Sequence, residues 1–317
     1  MRAIRLHNQQ FQLDHDYPMP SIGEDEVLVK VLLAAICGTD LELALGYYDF
    51  DGVPGHEFVG EIASGPEKGL RVVADINIGC WTCVDCLNGQ FHHCRERSVL
   101  GIKSRGGAFS EYIALPRRNL VPVGQDIPDE VAVLSEPVAA ALRVTEPFEG
   151  RLPNRVLVIG AGRLGYLVAQ VLRSFDIEVL VYTRNKVRVA QLEQAGLVGI
   201  GEFQPSEFPW VVDCSGSKGG LLLATEAIAP RGTITLKSTI TQPVALDLQS
   251  LMVNEVSLIG SRCGDLAKAE AWLSKGFLVP PSSARFGLEQ FDQAIRAAKG
   301  HEWQKVLIDP QLTEMAS

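Results

Sequence analysis

The chain has 317 residues, enough for two domains each with a core of its own. Lys and Arg number 29 against 38 Asp and Glu, a net charge of −9, which argues against an extended phosphate backbone as partner. No apolar run approaches the ~20 residues of a membrane span, and the opening Met1-Arg2-Ala3-Ile4-Arg5-Leu6-His7 lacks the apolar stretch of a secretory signal. The expectation is a cytoplasmic protein whose partner is neither a membrane nor a nucleic acid.

The N-terminal part, to about residue 140, is rich in short β-like runs such as Val27 to Ala34 and Glu57 to Ala63, separated by turns of Gly, Pro and Asp. Within it, Cys37-Gly38-Thr39-Asp40 is followed by Gly55-His56-Glu57, and then Cys80, Cys83, Cys86 and Cys94 stand at the spacing C-x2-C-x2-C-x7-C. Zinc enclosed by four thiolates has no open position and is structural, whereas zinc on three mixed ligands keeps a position for water or substrate. The two patterns imply two metal sites of different kinds. An iron–sulfur cluster fits less well, because the bacterial ferredoxin run continues x3-C-P and here seven residues precede Cys94, with Arg95 after it. His92 and His93 stand close enough in sequence to replace Cys94 as a ligand. Thiols used for metal in a chain of this size point to a reducing compartment.

From Arg155 the texture changes to alternating strand and helix. Val156-Leu157-Val158-Ile159 reads as a strand buried on both faces, followed by a helical stripe of Leu164, Leu167, Val168, Val171, Leu172 and Phe175. Strands are expected at Val179 to Tyr182, Trp210 to Asp213 and Thr233 to Leu236, with helices at Lys186 to Ala195 and Gly219 to Ala229. That is a doubly wound parallel sheet. Gly160-Ala161-Gly162-Arg163-Leu164-Gly165 lies between the first strand and its helix, where the glycines permit a tight turn, close phosphate approach and close helix packing. At the end of the second strand, where an acid would accept the ribose 2′-hydroxyl, the chain reads Tyr182-Thr183-Arg184-Asn185-Lys186. Thr183 replaces the acid and Arg184 can pair with a 2′-phosphate, so NADP is favoured over NAD. After Gly260 the texture mixes again and ends in Lys305-Val306-Leu307-Ile308, a strand expected to return to the first domain.

These motifs, together with Gly55-His56-Glu57-Phe58-Val59-Gly60, Gly106-Gly107-Ala108-Phe109-Ser110-Glu111-Tyr112 and Glu136-Pro137, occur in an order that resembles the zinc-containing medium-chain dehydrogenases. Within that alcohol dehydrogenase superfamily the chain is most similar to the polyol and threonine dehydrogenase-like branch. The resemblance implies an α/β architecture: a GroES-like, β-rich catalytic domain over residues 1–142 with a structural-zinc lobe near 78–96, a Rossmann domain over 143–260, and a return to the catalytic domain over 261–317. It further implies that Cys37, His56 and Glu136 hold a catalytic zinc, with Glu57 as the neighbouring carboxylate in ligand exchange and Asp40 orienting His56. Thr39 is implied as the first proton acceptor. The family often carries a histidine five residues after the first cysteine as the outer member of this relay, and this chain has Glu42.

Arg262, in a segment that returns to the cofactor in this family, is a candidate phosphate contact. Tyr47 and Tyr48 are candidates for the substrate pocket or for loop packing, and Cys214 reads as a small packing residue. The activity implied is hydride transfer between a secondary alcohol, with polyols and sugar-derived alcohols among the candidates, and NAD(P), in a homodimer or homotetramer. Two other readings stand beside it: a catalytically silent nucleotide-binding sensor, for which Glu42 is the support, and a zinc-independent quinone or enone reductase. The intact Cys37, Thr39, His56 and Glu136 set disfavours both, since a binding module needs no open metal position.

Overall fold

The computed structural model describes residues 1–240, 243–300, 302 and 304–312. The chain forms two compact units, one of Met1–Glu136, Leu266–Lys275 and Ser282–Ser317 and the other of Pro137–Asp265 and Gly276–Pro281. The architecture is α/β, as expected: a largely antiparallel, β-rich first unit and a doubly wound second unit.

The first unit opens with the hairpin β1 (Ala3–His7) and β2 (Gln10–Asp14), then the long β3 (Glu26–Ala35), the short helix α1 (Gly38–Leu43), β4 (Glu57–Ile62) and β5 (Arg71–Ala74). Next come β6 (Asn77–Ile78), α2 (Val84–Leu87), β7 (Ser98–Val99), β8 (Tyr112–Pro116), β9 (Leu120–Pro122), α3 (Asp129–Ala132) and α4 (Ser135–Leu142). In the second unit the order is β10 (Arg155–Ile159), α5 (Arg163–Arg173), β11 (Glu178–Tyr182), α6 (Lys186–Gln194), β12 (Val198–Ile200), β13 (Phe208–Asp213), α7 (Lys218–Ala227), β14 (Ile228–Leu236), α8 (Leu248–Val253) and β15 (Ser257–Gly260). The chain closes with α9 (Leu266–Leu273), β16 (Ser283–Gly287), α10 (Phe291–Lys299) and β17 (Lys305–Asp309).

The main sheet of the first unit runs β16-β17-β3-β4-β5-β9, with β8 pairing β3 as well. β17 pairs antiparallel with β3, Leu307 opposite Ala35, so the C-terminal strand adds to a sheet begun near the N-terminus. The second unit's sheet runs β12-β11-β10-β13-β14-β15 and every pair in it is parallel. Val156, Leu157 and Val158 of β10 are wholly buried, as a strand covered on both faces requires. Leu157, Ile159, Val211 and Ile234 pack with Leu221, Ala224 and Ala227 of α7. Trp210 is buried in this layer and its indole N–H donates to Thr235 Oγ1 at 3.0 Å, which satisfies the one polar group it carries there.

Several element ends differ from the sequence pattern, among them that of α7, which stops at Ala227 rather than Ala229 because Ile228 and Ala229 already belong to β14. α5 stops at Arg173 with Ser174 as its C-cap, so Phe175 leaves the helical stripe and is 43% exposed. β14 begins at Ile228 rather than Thr233, because Ile228 pairs with Phe208 before a register shift. The bulge holds Pro230, which lacks a ladder donor, and Arg231 at a left-handed φ of 62°, a local signature that hides the strand's first residues from pattern reading.

Candidate metal centres and nucleotide site

Cys37 follows β3 and His56 precedes β4, and the antiparallel pairing of these strands, Ala35 opposite Glu57, brings the two side chains to one place. Gly55 makes the approach possible: its φ is +97°, and a Cβ there would lie 2.8 Å from the Phe109 backbone nitrogen. Asp40, with no exposed surface, ties the two segments together by accepting from the Cys37 N–H at 2.8 Å and the Gly55 N–H at 3.2 Å. Ligand atoms of Cys37, His56 and Glu57 all lie within 4.8 Å of one another.

The polar atoms of this group are incompletely paired. His56 Nδ1 is 3.4 Å from Asp40 Oδ1, too poorly aligned for a hydrogen bond, and it is buried. Glu57 Oε2 meets Lys305 Nζ as an ion pair without a well-directed hydrogen bond, both side chains being buried. Burial is the largest influence on His56 and opposes its charge. The combined pull of Asp40 and Cys37 nevertheless raises its pKa well above the usual value, so these surroundings favour positive charge at the imidazole. A mixed S, N, O donor set in such a field fits a divalent cation of the zinc type. Thr39 Oγ1 lies 3.8 Å from Cys37 Sγ. Glu136, half-buried on the first turn of α4, is not one of the three converging ligands, and Glu42 is exposed. Tyr47 and Tyr48 pack edge to face at 4.5 Å, with Tyr48 itself 52% exposed.

The second group is the four cysteines. Cys80, Cys83, Cys86 and Cys94 converge within 4.8 Å, with Cys80 and Cys86 sulfurs 4.0 Å apart and Cys83 and Cys94 sulfurs 3.8 Å apart. Thiolates about 2.3 Å from a tetrahedral zinc would be about 3.8 Å from each other, so the donor set fits zinc. Backbone N–H groups of Cys83 and Cys80 point at the Cys80 and Cys94 sulfurs, a pattern that favours thiolate. The Thr82 hydroxyl and neighbouring N–H groups push Cys80 down to about 6, while burial pushes Cys86 up to about 12. His92 turns to Asp75, with 2.7 Å between Nε2 and Oδ2, while all four cysteine sulfurs face one another. Phe91 stacks between His92 and Trp81 and carries the lobe's apolar packing.

In the second unit, Gly160 has a φ of +97° and leads from β10 into the turn that starts α5. Space above Gly162 is open to 4 Å, and a Cβ on Gly165 would lie 1.9 Å from the Gly160 carbonyl oxygen. A backbone cradle left clear at the middle glycine suits a phosphate. Arg163 is the first residue of α5 and Leu164 is half-buried beside it. Thr183 Oγ1 accepts from the Asn185 N–H at 3.2 Å, and Arg184 is exposed. Arg262 is also exposed; its backbone carbonyl accepts from the ammonium of Lys237, which also donates to Ser261 Oγ at 3.3 Å. Cys214 packs against the Gly165 turn.

Three charged residues escaped sequence reasoning. Lys305 and Lys237 each sit where an apolar strand begins or ends, a position that reads as a solvated terminus, yet they are 3% and 8% exposed. Arg188, also 8% exposed, lies on a helix whose pattern gives no sign of burial.

Residues 23–128 match the family described as the alcohol dehydrogenase GroES-like domain. The chain is 30% identical over 306 residues to the starvation-sensing protein RspB of Escherichia coli (strain K12), covering 88% of this chain and 89% of that protein. It is 35% identical over 199 residues to the L-threonine 3-dehydrogenase of Mesorhizobium japonicum, an alignment that spans 57% of this chain and only 56% of that enzyme. A short chain alcohol dehydrogenase (rspB) from E. coli CFT073, solved with NADH, superposes with a TM-score of 0.88 at 27% identity over 98% of this chain and 99% of that one. A putative zinc-binding dehydrogenase from Sinorhizobium meliloti 1021, bound to NADP, has the same fold, with a TM-score of 0.88 at 23% identity over 98% and 99% of the two chains. With a relative 30% identical over 88% of this chain and both ligand clusters assembled, the chain belongs to the zinc-containing medium-chain dehydrogenases of the alcohol dehydrogenase superfamily.

Proposed function

We propose that the protein is a zinc-dependent, NAD(P)-linked oxidoreductase that interconverts a secondary alcohol, of the polyol or sugar-derived kind, and its ketone. The observation that carries this reading is the buried convergence of Cys37, His56 and Glu57 around a point whose surroundings favour positive charge. Zinc held there would supply Lewis acidity that lowers the pKa of an alcohol, and the nicotinamide would accept the hydride. Cys37 and His56 would hold it, with a third ligand from Glu136 or Glu57. Asp40 fixes both segments through two backbone N–H groups and faces the His56 ring. Thr39 takes the alcohol proton. The Gly160–Gly165 turn receives the pyrophosphate, and the four-cysteine lobe holds a structural zinc.

Glu42 departs from the relay expected of the family and its exposure supports proton release to solvent from that side. Among the described residues no helix is long and apolar enough to cross a membrane, and a cytoplasmic location fits the reduced cysteine use. β15 forms an edge of the parallel sheet, and Leu258 on it together with Leu248 and Met252 of α8 are exposed, which supports self-association into a dimer or tetramer.

The test is elemental zinc analysis of the wild type beside Cys37→Ser, with a screen of secondary alcohols and polyols against both nicotinamide cofactors. Two zinc ions per chain falling to one, with cofactor reduction by at least one polyol in the wild type alone, is the expected result. One zinc in both proteins, or turnover that survives Cys37→Ser, would overturn the reading.

A further inference from the structure

α3 packs against β3 and β4, the two strands whose ends deliver Cys37 and His56, and α9 packs against α3 in turn. Only Val133 and Leu134, both buried, separate α3 from α4, so Glu136 in the first turn of α4 is carried on the same frame as Cys37 and His56. Glu136 stands directly before Pro137, whose ring disfavours helical backbone in the residue preceding it. Local preference therefore does not fix its backbone, and an anchor beside it is needed.

The buried face of α9 consists of Leu266, Ala269, Glu270, Trp272 and Leu273, one acid among apolar side chains. Glu270 Oε1 meets the hydroxyl of Ser135, the first residue of α4, and Oε2 makes no hydrogen bond among the described residues. The same hydroxyl lies 2.6 Å from the carbonyl of Ala132, the last residue of α3. A hydroxyl has one hydrogen and a carbonyl can only accept. Both contacts are satisfied when Ser135 donates to Ala132 and Glu270, as the carboxylic acid, donates to Ser135. Burial favours that uncharged form, against smaller opposing pulls from Ser135 and Arg71. The run Glu270–Ser135–Ala132 pins the start of α4 to both α3 and α9. Apolar side chains would fill the same space without desolvating a carboxyl, so the polar groups here serve position rather than stability.

We infer that Glu270 is a positioning residue for the open metal site: through Ser135 it sets the first turn of α4 so that Glu136 can serve as the third ligand. This rests on the zinc oxidoreductase reading above and takes Glu136, of its two carboxylates, as that ligand. Glu270 itself touches neither metal nor substrate. Its part is to donate one hydrogen bond from a fixed place on α9, which any side chain with a donor at the same reach can also do.

The experiment dialyses the full-length, zinc-loaded protein against graded chelator and counts zinc, beside thermal unfolding and the visible spectrum after cobalt(II) is exchanged into the more labile site. The variants are Glu136→Gln, Ser135→Ala, Glu270→Gln and the double Ser135→Ala, Glu270→Met, which fills the space with apolar groups and buries no unpaired donor. The wild type is expected to hold two ions. Ser135→Ala and the double variant release one of them at about tenfold less chelator, with an altered cobalt spectrum, although the double variant unfolds no earlier than the wild type. Glu270→Gln, whose amide can donate to Ser135, keeps most of the wild-type retention. An ion held as tightly in the double variant as in the wild type overturns the inference and makes the pair structural, and so does a Glu270→Gln that releases it as readily as the double variant. Unchanged retention in Glu136→Gln also overturns it, while the oxidoreductase reading stands on Cys37, His56 and Glu57. A wild type with a single zinc brings both down. Should the double variant not fold, Ser135→Ala against Glu270→Gln decides the matter.

Discussion

Lys305 and Glu57 form an ion pair at the heart of the first unit, with 3% and 1% of their side chains exposed. Each offsets part of the other's cost of burial, and among the described residues neither forms a second ion pair. Lys305→Met leaves a carboxylate buried without a counter-charge and is expected to destabilise the fold by about 3–5 kcal/mol in denaturant unfolding. Adding Glu57→Gln should recover a large part of that loss, since the double variant buries no unpaired charge. Losses that simply add would show the two residues to be independent. The pair also bears on the metal: an ammonium at Glu57 Oε2 competes with a cation for that carboxylate.

That relationship marks the boundary of what the sequence makes legible. Cys37, His56 and the four cysteines announce themselves because metal ligands of those types at those spacings serve few other purposes, and the Gly160 turn is legible because three glycines follow an apolar strand. Lys305 is invisible for the opposite reason. A lysine before Val306-Leu307-Ile308 looks like a solvated strand end, and its burial depends on β17 joining β3, a pairing between distant parts of the chain. Arg188 is hidden similarly: the pattern of α6 gives no sign of which face is buried, and the charge of Arg163 arrives from another loop. The start of β14 was obscured by Pro230 and the bulge around it.

Asp40 accepts from two backbone N–H groups and faces His56, three tasks that only an acceptor can perform. Asp40→Asn must turn an NH2 group toward one of those donors or toward the ring. Zinc affinity at the catalytic site is expected to fall about 10–100-fold. Dialysis against graded chelator, followed by zinc counting, should show one ion leaving early in the variant and two held in the wild type; identical curves would remove Asp40 from the metal's support.

The cysteine lobe has little apolar packing beyond Phe91 and Trp81, so the metal is the main tie among its loops. Cys83→Ser should lower zinc from two ions per chain to one and the thermal midpoint by several degrees, while the folded fraction still binds dinucleotide. Full stability with unchanged zinc would mean that the lobe does not depend on this sulfur.

Glu270 is 8% exposed and lies against the Ser135 hydroxyl, with Oε2 making no hydrogen bond among the described residues. Burial raises its pKa, against smaller opposing contributions from Ser135 and Arg71. A carboxyl whose pKa is raised on folding stabilises the protein below its unfolded pKa, and that contribution is lost as pH rises through the folded value. Glu270→Gln should therefore match the wild type near pH 4 and exceed it in stability at pH 7.5. Equal pH dependence in the two proteins would show that Glu270 ionises in the fold without cost.

Thr39 stands next to Cys37 on α1, its hydroxyl 3.8 Å from the sulfur, half-buried, while Glu42 one turn later points to solvent. A hydroxyl so placed can accept a proton from an alcohol bound beside Cys37 and pass it outward. Thr39→Val keeps the shape and removes the relay, so kcat for the best polyol of the screen should fall about 10²–10⁴-fold, with zinc content and dinucleotide binding unchanged. Glu42→Gln should change kcat by less than about twofold, because Glu42 is exposed and solvent can take the proton in its place. Should Glu42→Gln prove as damaging as Thr39→Val and shift the pH profile with it, the proton would leave through Glu42, and the histidine usual at that position in the family would have been replaced in kind.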